Sequence, residues 1–101
     1  MKIIAIEKEV TGETAEIFTT EILTAEAQKV WELYQSGFIR EIYFRADQTK
    51  AVLILECSDI NEARNTLQML PLVDKKLIDF ELIPLTPYSG LARLFKPVPV
   101  I

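Results

Sequence analysis

The chain has no histidine, one cysteine and three glycines among 101 residues, and each scarcity closes off a class of chemistry. Without histidine there is no imidazole to act as a base near neutral pH, to ligate a haem iron or to activate a thiol. Cys57 has no partner for an internal disulfide, the pattern of a reducing compartment, and a thiol at a strand end on the apolar side is expected to be inert. With carboxylates at no recognisable loop spacing, a metal-ligand set is missing as well, and three isolated glycines build no phosphate-cradling loop. No stretch approaches the about 20 apolar residues of a membrane span. Near the N-terminus, Glu7, Lys8 and Glu9 cut the run Ile3-Ile4-Ala5-Ile6 too short for a secretory signal. The expected address is therefore the cytoplasm. Positive charge is scarce too: 11 basic against 15 acidic residues give a net charge of −4, and Lys75-Lys76 is the densest basic cluster. Such a chain gains little from counterion release on a polyanion, so neither nucleic acid nor a membrane is expected as a partner.

What is abundant is aliphatic side chain. Half the residues are hydrophobic, yet a single domain of this length hides only about 60–70% of its surface. Two helices and one sheet cannot bury so much, which is the first indication of a partner.

The first strand is read over residues 2–8, closed by the turn-like Thr11-Gly12-Glu13. Residues 13–22 keep no clean period and are read as loop or as an extension of the first strand. Thr24 is the expected N-cap of a helix over 25–36, with Glu26 in its first turn and Gly37 ending it. Ala27, Val30, Trp31 and Tyr34 form its expected buried stripe. Strands over 38–46 and 50–57 flank Asp47-Gln48-Thr49. A two-residue loop at Gln48-Thr49 sets Arg45 opposite Val52, Tyr43 opposite Ile54 and Glu41 opposite Glu56. Ser58 or Asp59 caps a second helix bearing Ile60, Ala63, Leu67 and Leu70, which Pro71 ends. Residues 77–85 alternate as a fourth strand. Beyond Thr86-Pro87-Tyr88-Ser89-Gly90 the chain turns apolar again: Leu91, Leu94 and Phe95 suit a helical turn, and Pro97-Val98-Pro99-Val100-Ile101 an extended segment.

Strand–helix–strand twice over, joined by a hairpin, specifies an α+β fold of the ferredoxin-like βαββαβ type. It has one antiparallel sheet and both helices on a single face. Ile42, Phe44, Leu53, Leu55, Ile78, Phe80 and Leu82 are the set expected beneath the helices. The opposite face then shows Glu41, Tyr43, Arg45, Val52, Ile54, Glu56, Asp79, Glu81 and Ile83. Valine and isoleucine among charges on an open face are poor solvent residues, and a second sheet packed on them gives a barrel-like homodimer around a partly polar cavity.

The run Asn65-Thr66-Leu67-Gln68-Met69-Leu70-Pro71-Leu72, followed by Asp79-Phe80-Glu81, resembles the second-helix and last-strand region of muconolactone delta-isomerases. Phe44-Arg45 is similar to an aromatic–arginine pair in that family's second strand. The likeness spans roughly residues 25–90. It implies a dimeric α+β barrel domain over residues 1–90, with a C-terminal arm, 91–101, docking on a neighbouring subunit. It also implies a cofactor-independent isomerase or lyase acting on a small lactone or carboxylate. The chain departs from that family in having no histidine in the second-strand region, in one extra residue between Gly37 and Arg45, and over residues 73–78.

On the open face, Glu41 and Glu56 are the candidate catalytic pair. Carboxylates set opposite each other cannot both ionise comfortably, which raises one pKa for proton transfer, unless each pairs with a separate cation. Arg45 is the candidate anchor for a small anionic metabolite, or else a counter-ion to an acid in the dimer. Tyr43 can polarise a substrate carbonyl or simply pack. Asp79 and Glu81 read as a base or, better, as a salt bridge to the neighbouring subunit. The rival to an enzyme is a non-catalytic metabolite-binding or assembly module.

Overall fold

The computed structural model describes residues 1–10 and 17–95. Thr11-Gly12-Glu13 and Pro97-Val98-Pro99-Val100-Ile101, given a turn and an extended run from sequence, lie outside the described residues. Four strands form one antiparallel sheet: β1 (Lys2–Glu9), β2 (Ile39–Phe44), β3 (Ala51–Glu56) and β4 (Ile78–Pro84), in the order β2-β3-β1-β4. Helix α1 (Thr20–Gln35) crosses from β1 over β3 to β2, helix α2 (Ile60–Leu67) crosses from β3 over β1 to β4, and a short α3 (Pro71–Asp74) precedes β4. This is the expected α+β arrangement.

One sheet face carries the core. Ile3 and Ala5 of β1 stand opposite Leu55 and Leu53 of β3. These four, with Phe80 and Ile78 of β4, are buried against Leu33 of α1 and Ala63 and Leu67 of α2. Each buried aliphatic side chain of this kind contributes about 1.5–3 kcal/mol relative to exposure.

Several local expectations are corrected. Helix α1 begins five residues earlier than Thr24 suggests, because Thr19 is the N-cap and its hydroxyl accepts from the Ile22 N–H at 3.3 Å. The side of α1 packed on the sheet runs through Ile22, Glu26, Val30 and Leu33, at i, i+4, i+8 and i+11, and not through Trp31 and Tyr34. Trp31 is therefore 54% exposed rather than core, with its ring tilted against exposed Tyr34. Gly37 does follow the helix, at φ 88°, the left-handed conformation that glycine adopts without strain.

The hairpin is the second correction. The Arg45 N–H donates to the Lys50 carbonyl at 2.9 Å, so the loop holds four residues, 46–49, instead of two. Glu41 consequently stands opposite Ile54 and Tyr43 opposite Val52, and a bulge separates Ile39 from Glu41. The slip is by two residues, which preserves the faces of Glu41, Ile42, Tyr43 and Phe44 but removes Glu41 from Glu56, while the bulge turns Ile39 to the core side opposite Leu55.

The third concerns depth. Ile42 and Phe44 lie on the helix side of the sheet as expected, but β2 is an edge strand the helices do not cover, and Phe44 is 70% exposed. Leu53, Leu55 and Phe80 are buried as expected. Asp59 caps α2, accepting from the Glu62 N–H at 2.8 Å. Pro71 does not end that helix, which stops at Leu67. It opens α3, where the N1 position asks for no N–H.

After Leu85, whose N–H reaches the Lys2 carbonyl, the chain leaves the body. A 3-10 helix, Ser89–Leu94, exposes Leu91 and Leu94, and Tyr88 and Phe95 beside it are exposed too.

Candidate active-site cavity

The residues singled out on the open sheet face are found at the surface, each with a near neighbour. The Tyr43 hydroxyl donates to Glu41 Oε1 at 2.7 Å, and that bond raises the phenol's pKa. Arg45 makes a bidentate pair with Asp47, at 2.9 and 2.7 Å, within the hairpin loop. The pair holds Asp47 below the usual carboxylate range. Glu56 accepts from the Met1 amino group at 2.7 Å, and this cation lowers its pKa. The expected coupling of Glu41 with Glu56 is thus not present, and Glu56 moves opposite to the direction a shared proton would require. Along the middle of the same face runs an aliphatic band: Ile54, Ile4 and Ile83 stand side by side across β3, β1 and β4, next to Val52 and Ile6.

The sheet's other face holds a more enclosed space. A cavity of about 290 Å³ opens between α1 and the uncovered edge strand β2. Leu23, Ala27 and Val30 of α1 form one wall, and Leu53, Ile78 and Phe80 rise from the sheet as its floor. Leu70 and Leu72 close the far end, while Ile42 and Phe44 stand at the rim. Its volume sits at the lower edge of small-molecule pockets, about 300–1,000 Å³. Two carboxylates, Glu26 and Glu7, are the charged groups in this otherwise apolar lining.

Local structure puts both there. Helix α3 begins with Leu70 as its N-cap, which has no side-chain acceptor, and with Pro71, which has no N–H. The first donor needing a partner is the Leu72 N–H, and Glu26 Oε1 reaches across from α1 to accept it at 2.9 Å. Burial raises the Glu26 pKa; the Leu72 bond opposes this and the nearby Glu7 charge adds to it. Glu7 lies on β1 just beyond the last β1–β3 pair, Ile6 with Val52. There its Oε1 accepts the Ala51 N–H at 2.9 Å, in place of a strand carbonyl.

Neither glutamate was among the sequence candidates, although both leave a signal. Glu7 shares the parity of Ile3 and Ala5, so it points to the core side of β1. Glu26 falls on the stripe of Ile22, Val30 and Leu33 once the helix is started at Thr19. A carboxylate on an apolar face is what both share.

Elsewhere, a groove of about 210 Å³ beside Arg64 and Asp79 has those charges exposed to solvent. Cys57 lies half-buried with its thiol pKa raised by burial, away from the reactive thiolate range. Among the described residues no cluster of three or more acidic or cysteine side chains could hold a metal ion. No described helix is long and apolar enough to cross a membrane.

Comparison with known proteins agrees with this architecture. Residues 4–90 match the family model for muconolactone delta-isomerase, and the chain belongs to that family. The crystal structure of a muconolactone isomerase superposes with a TM-score of 0.69 at 18% sequence identity, covering 89% of this chain and 93% of the other. At that identity the superposition establishes a common fold. No curated protein matches the chain in sequence.

Proposed function

We propose that this member of the muconolactone delta-isomerase family is a cofactor-independent isomerase. It moves a proton, and with it a double bond, within a small unsaturated lactone or related carbonyl compound held in the cavity between α1 and the sheet. The observation that supports this reading is Glu26, a carboxylate of raised pKa on the wall of an apolar cavity. Such a group is a stronger base than an ordinary glutamate and, once protonated, still an adequate acid.

In the step, the Glu26 carboxylate takes a proton from a carbon made acidic by conjugation with the carbonyl. The C–H electron pair passes into the conjugated system, and charge collects on the carbonyl oxygen. Protonated Glu26 then returns its proton to a different carbon of that system. One C–H bond breaks, another forms, and the carboxylate is restored. The Leu72 N–H fixes one carboxylate oxygen and leaves the other to face the substrate. Apolar walls exclude water, which keeps the abstracted proton from exchanging away and strengthens local electrostatics.

The protein works as a cytoplasmic homodimer or higher oligomer, joined through the open sheet face. The band of Ile4, Ile6, Val52, Ile54 and Ile83 supports that surface, and residues 91–101 form an arm that docks on a neighbouring subunit. Such a dimer also covers Glu41, Tyr43 and Glu56, with Arg45 at its margin, and these remain a second candidate site. A binding or assembly module is the rival reading, and catalysis decides between them. Proton NMR of an unsaturated five-membered lactone in deuterated water, with and without protein, follows double-bond migration directly. Wild type should accelerate migration and Glu26→Gln should abolish the acceleration. Equal activity in the two proteins would remove Glu26 from the mechanism, and loss in Glu56→Gln instead would move the site to the open face.

A further inference from the structure

Glu7 carries more charge than its one visible contact requires. It stands half-buried on the core side of β1, in line with Ile3 and Ala5, and its Oε1 accepts the Ala51 N–H at 2.9 Å. A glutamine oxygen would accept that N–H equally well, without the cost of taking a charge out of water. The charge falls in the cavity that Glu26 also lines. Each of the two carboxylates has one oxygen tied to a backbone amide, Glu7 to Ala51 and Glu26 to Leu72, so both charges stay on this cavity. Like charges held in an apolar lining that screens them poorly oppose each other's ionisation. Glu7 acts on Glu26 in that direction, adding to the effect of burial.

We propose that Glu7 is a positioning residue for the isomerisation, its fixed negative charge strengthening Glu26 as a base. This rests on the reading of Glu26 as the proton-transfer group. When Glu26 takes a proton from the substrate, the repulsion between the two carboxylates is relieved, which favours the abstraction. Other charges act on the pair as well. Half-buried Lys29 stands one turn from Glu26 on α1, 3.7 Å from Glu32, and Lys50, just before β3, lies 3.6 Å from Glu9 of β1. The two lysines favour ionised carboxylates, while Glu9, Glu32 and Asp74 at the end of α3 oppose ionisation. Asp79 and Glu81 of β4 and Glu41 of β2 occupy the alternate positions, on the opposite face of the sheet. The contribution of Glu7 is set on top of these, and replacing Glu7 alone leaves the others in place.

The test measures double-bond migration in an unsaturated five-membered lactone across pH for wild type, Glu7→Gln and Glu7→Asp. Glu26 must be ionised to accept a proton, so kcat/KM falls on the acid side as Glu26 protonates. Glu7→Gln keeps an acceptor for the Ala51 N–H and removes only the charge. Its acid limb should move to lower pH and its kcat should drop about three- to tenfold, with KM nearly unchanged. Glu7→Asp keeps the charge on a shorter side chain and should hold the limb near its wild-type position, even where the Ala51 bond is lost. A purely structural role predicts the reverse, with the aspartate variant impaired and the glutamine variant indistinguishable from wild type, and that result would overturn the inference. A second readout needs no substrate: the Glu26 carboxyl carbon, followed by NMR, should titrate at lower pH in Glu7→Gln. An unmoved titration overturns the inference and leaves Glu26 standing as the base. If Glu26→Gln turns over the lactone as fast as wild type, the cavity reading itself fails and the inference with it.

Discussion

Replacing Glu26 separates its structural role from its chemical one. Glutamine keeps an oxygen where Glu26 Oε1 now accepts the Leu72 N–H, so Glu26→Gln should leave α3 docked on α1. Alanine removes that acceptor, and neither Leu70 nor Pro71 can replace it. An amide left unpaired in a partly buried setting costs about 1–3 kcal/mol, and each kcal/mol lowers the melting temperature of a domain this size by about 4–8 °C. The alanine variant should thus melt clearly below the glutamine variant. The pH dependence has a definite sign. Burial raises the Glu26 pKa, so the folded protein holds this proton more tightly than the unfolded chain. The stabilising effect of that proton is full below the ordinary glutamate value, about 4.3, and is lost as pH rises through the raised folded value. Glu26→Gln should lack this decline and gain on wild type toward neutral pH. Thermal melts of the three proteins across that range provide the assay. Wild-type and glutamine curves that stay parallel, or a glutamine variant as unstable as alanine, would refute the assignment of Glu26 as a buried, proton-binding cap.

Asp59→Ala removes the side-chain cap of α2 and should cost about 0.5–2 kcal/mol in chemical denaturation. Light scattering at micromolar concentration should give at least twice the 11.5 kDa chain mass, and Ile54→Lys, in the middle of the open-face band, should lower it. A monomeric wild type would remove the proposed dimer. Arg45→Met breaks a solvent-exposed pair with Asp47 and should leave the melting temperature nearly unchanged, without weakening binding of a neutral lactone.

Fold and face were legible in the sequence because both rest on periodicity. Alternation in β3 and β4 separates Leu53, Leu55 and Phe80 from Ile54, Glu56 and Asp79, and a hairpin slip of two residues leaves that separation unchanged. Pairing was less legible, since it depends on loop length, and four residues close the turn between β2 and β3 where two were expected. That difference dissolves the Glu41–Glu56 pair. The cavity glutamates were hidden for other reasons. Thr24 and Thr19 are both credible caps, and choosing the later one presents Glu26 as a dipole partner in the first turn instead of a member of the buried stripe. What holds Glu26 in place is the Leu72 N–H, 46 residues along the chain, and no local pattern announces so distant a partner. Phe44 shows the complementary effect: its face follows from alternation, while its exposure follows from β2 standing at the sheet edge.

The two faces of the sheet carry separate sets of methyl groups, so a methyl-resolved NMR titration with an unsaturated, uncharged five-membered lactone locates the binding site. If ligand is held between α1 and the sheet, shifts should concentrate at Leu23, Val30, Leu53, Leu70 and Ile78. Ile4, Ile6, Val52, Ile54 and Ile83 should stay still. The reverse pattern, with the second set moving and the first unchanged, would contradict the assignment of the cavity as the active site.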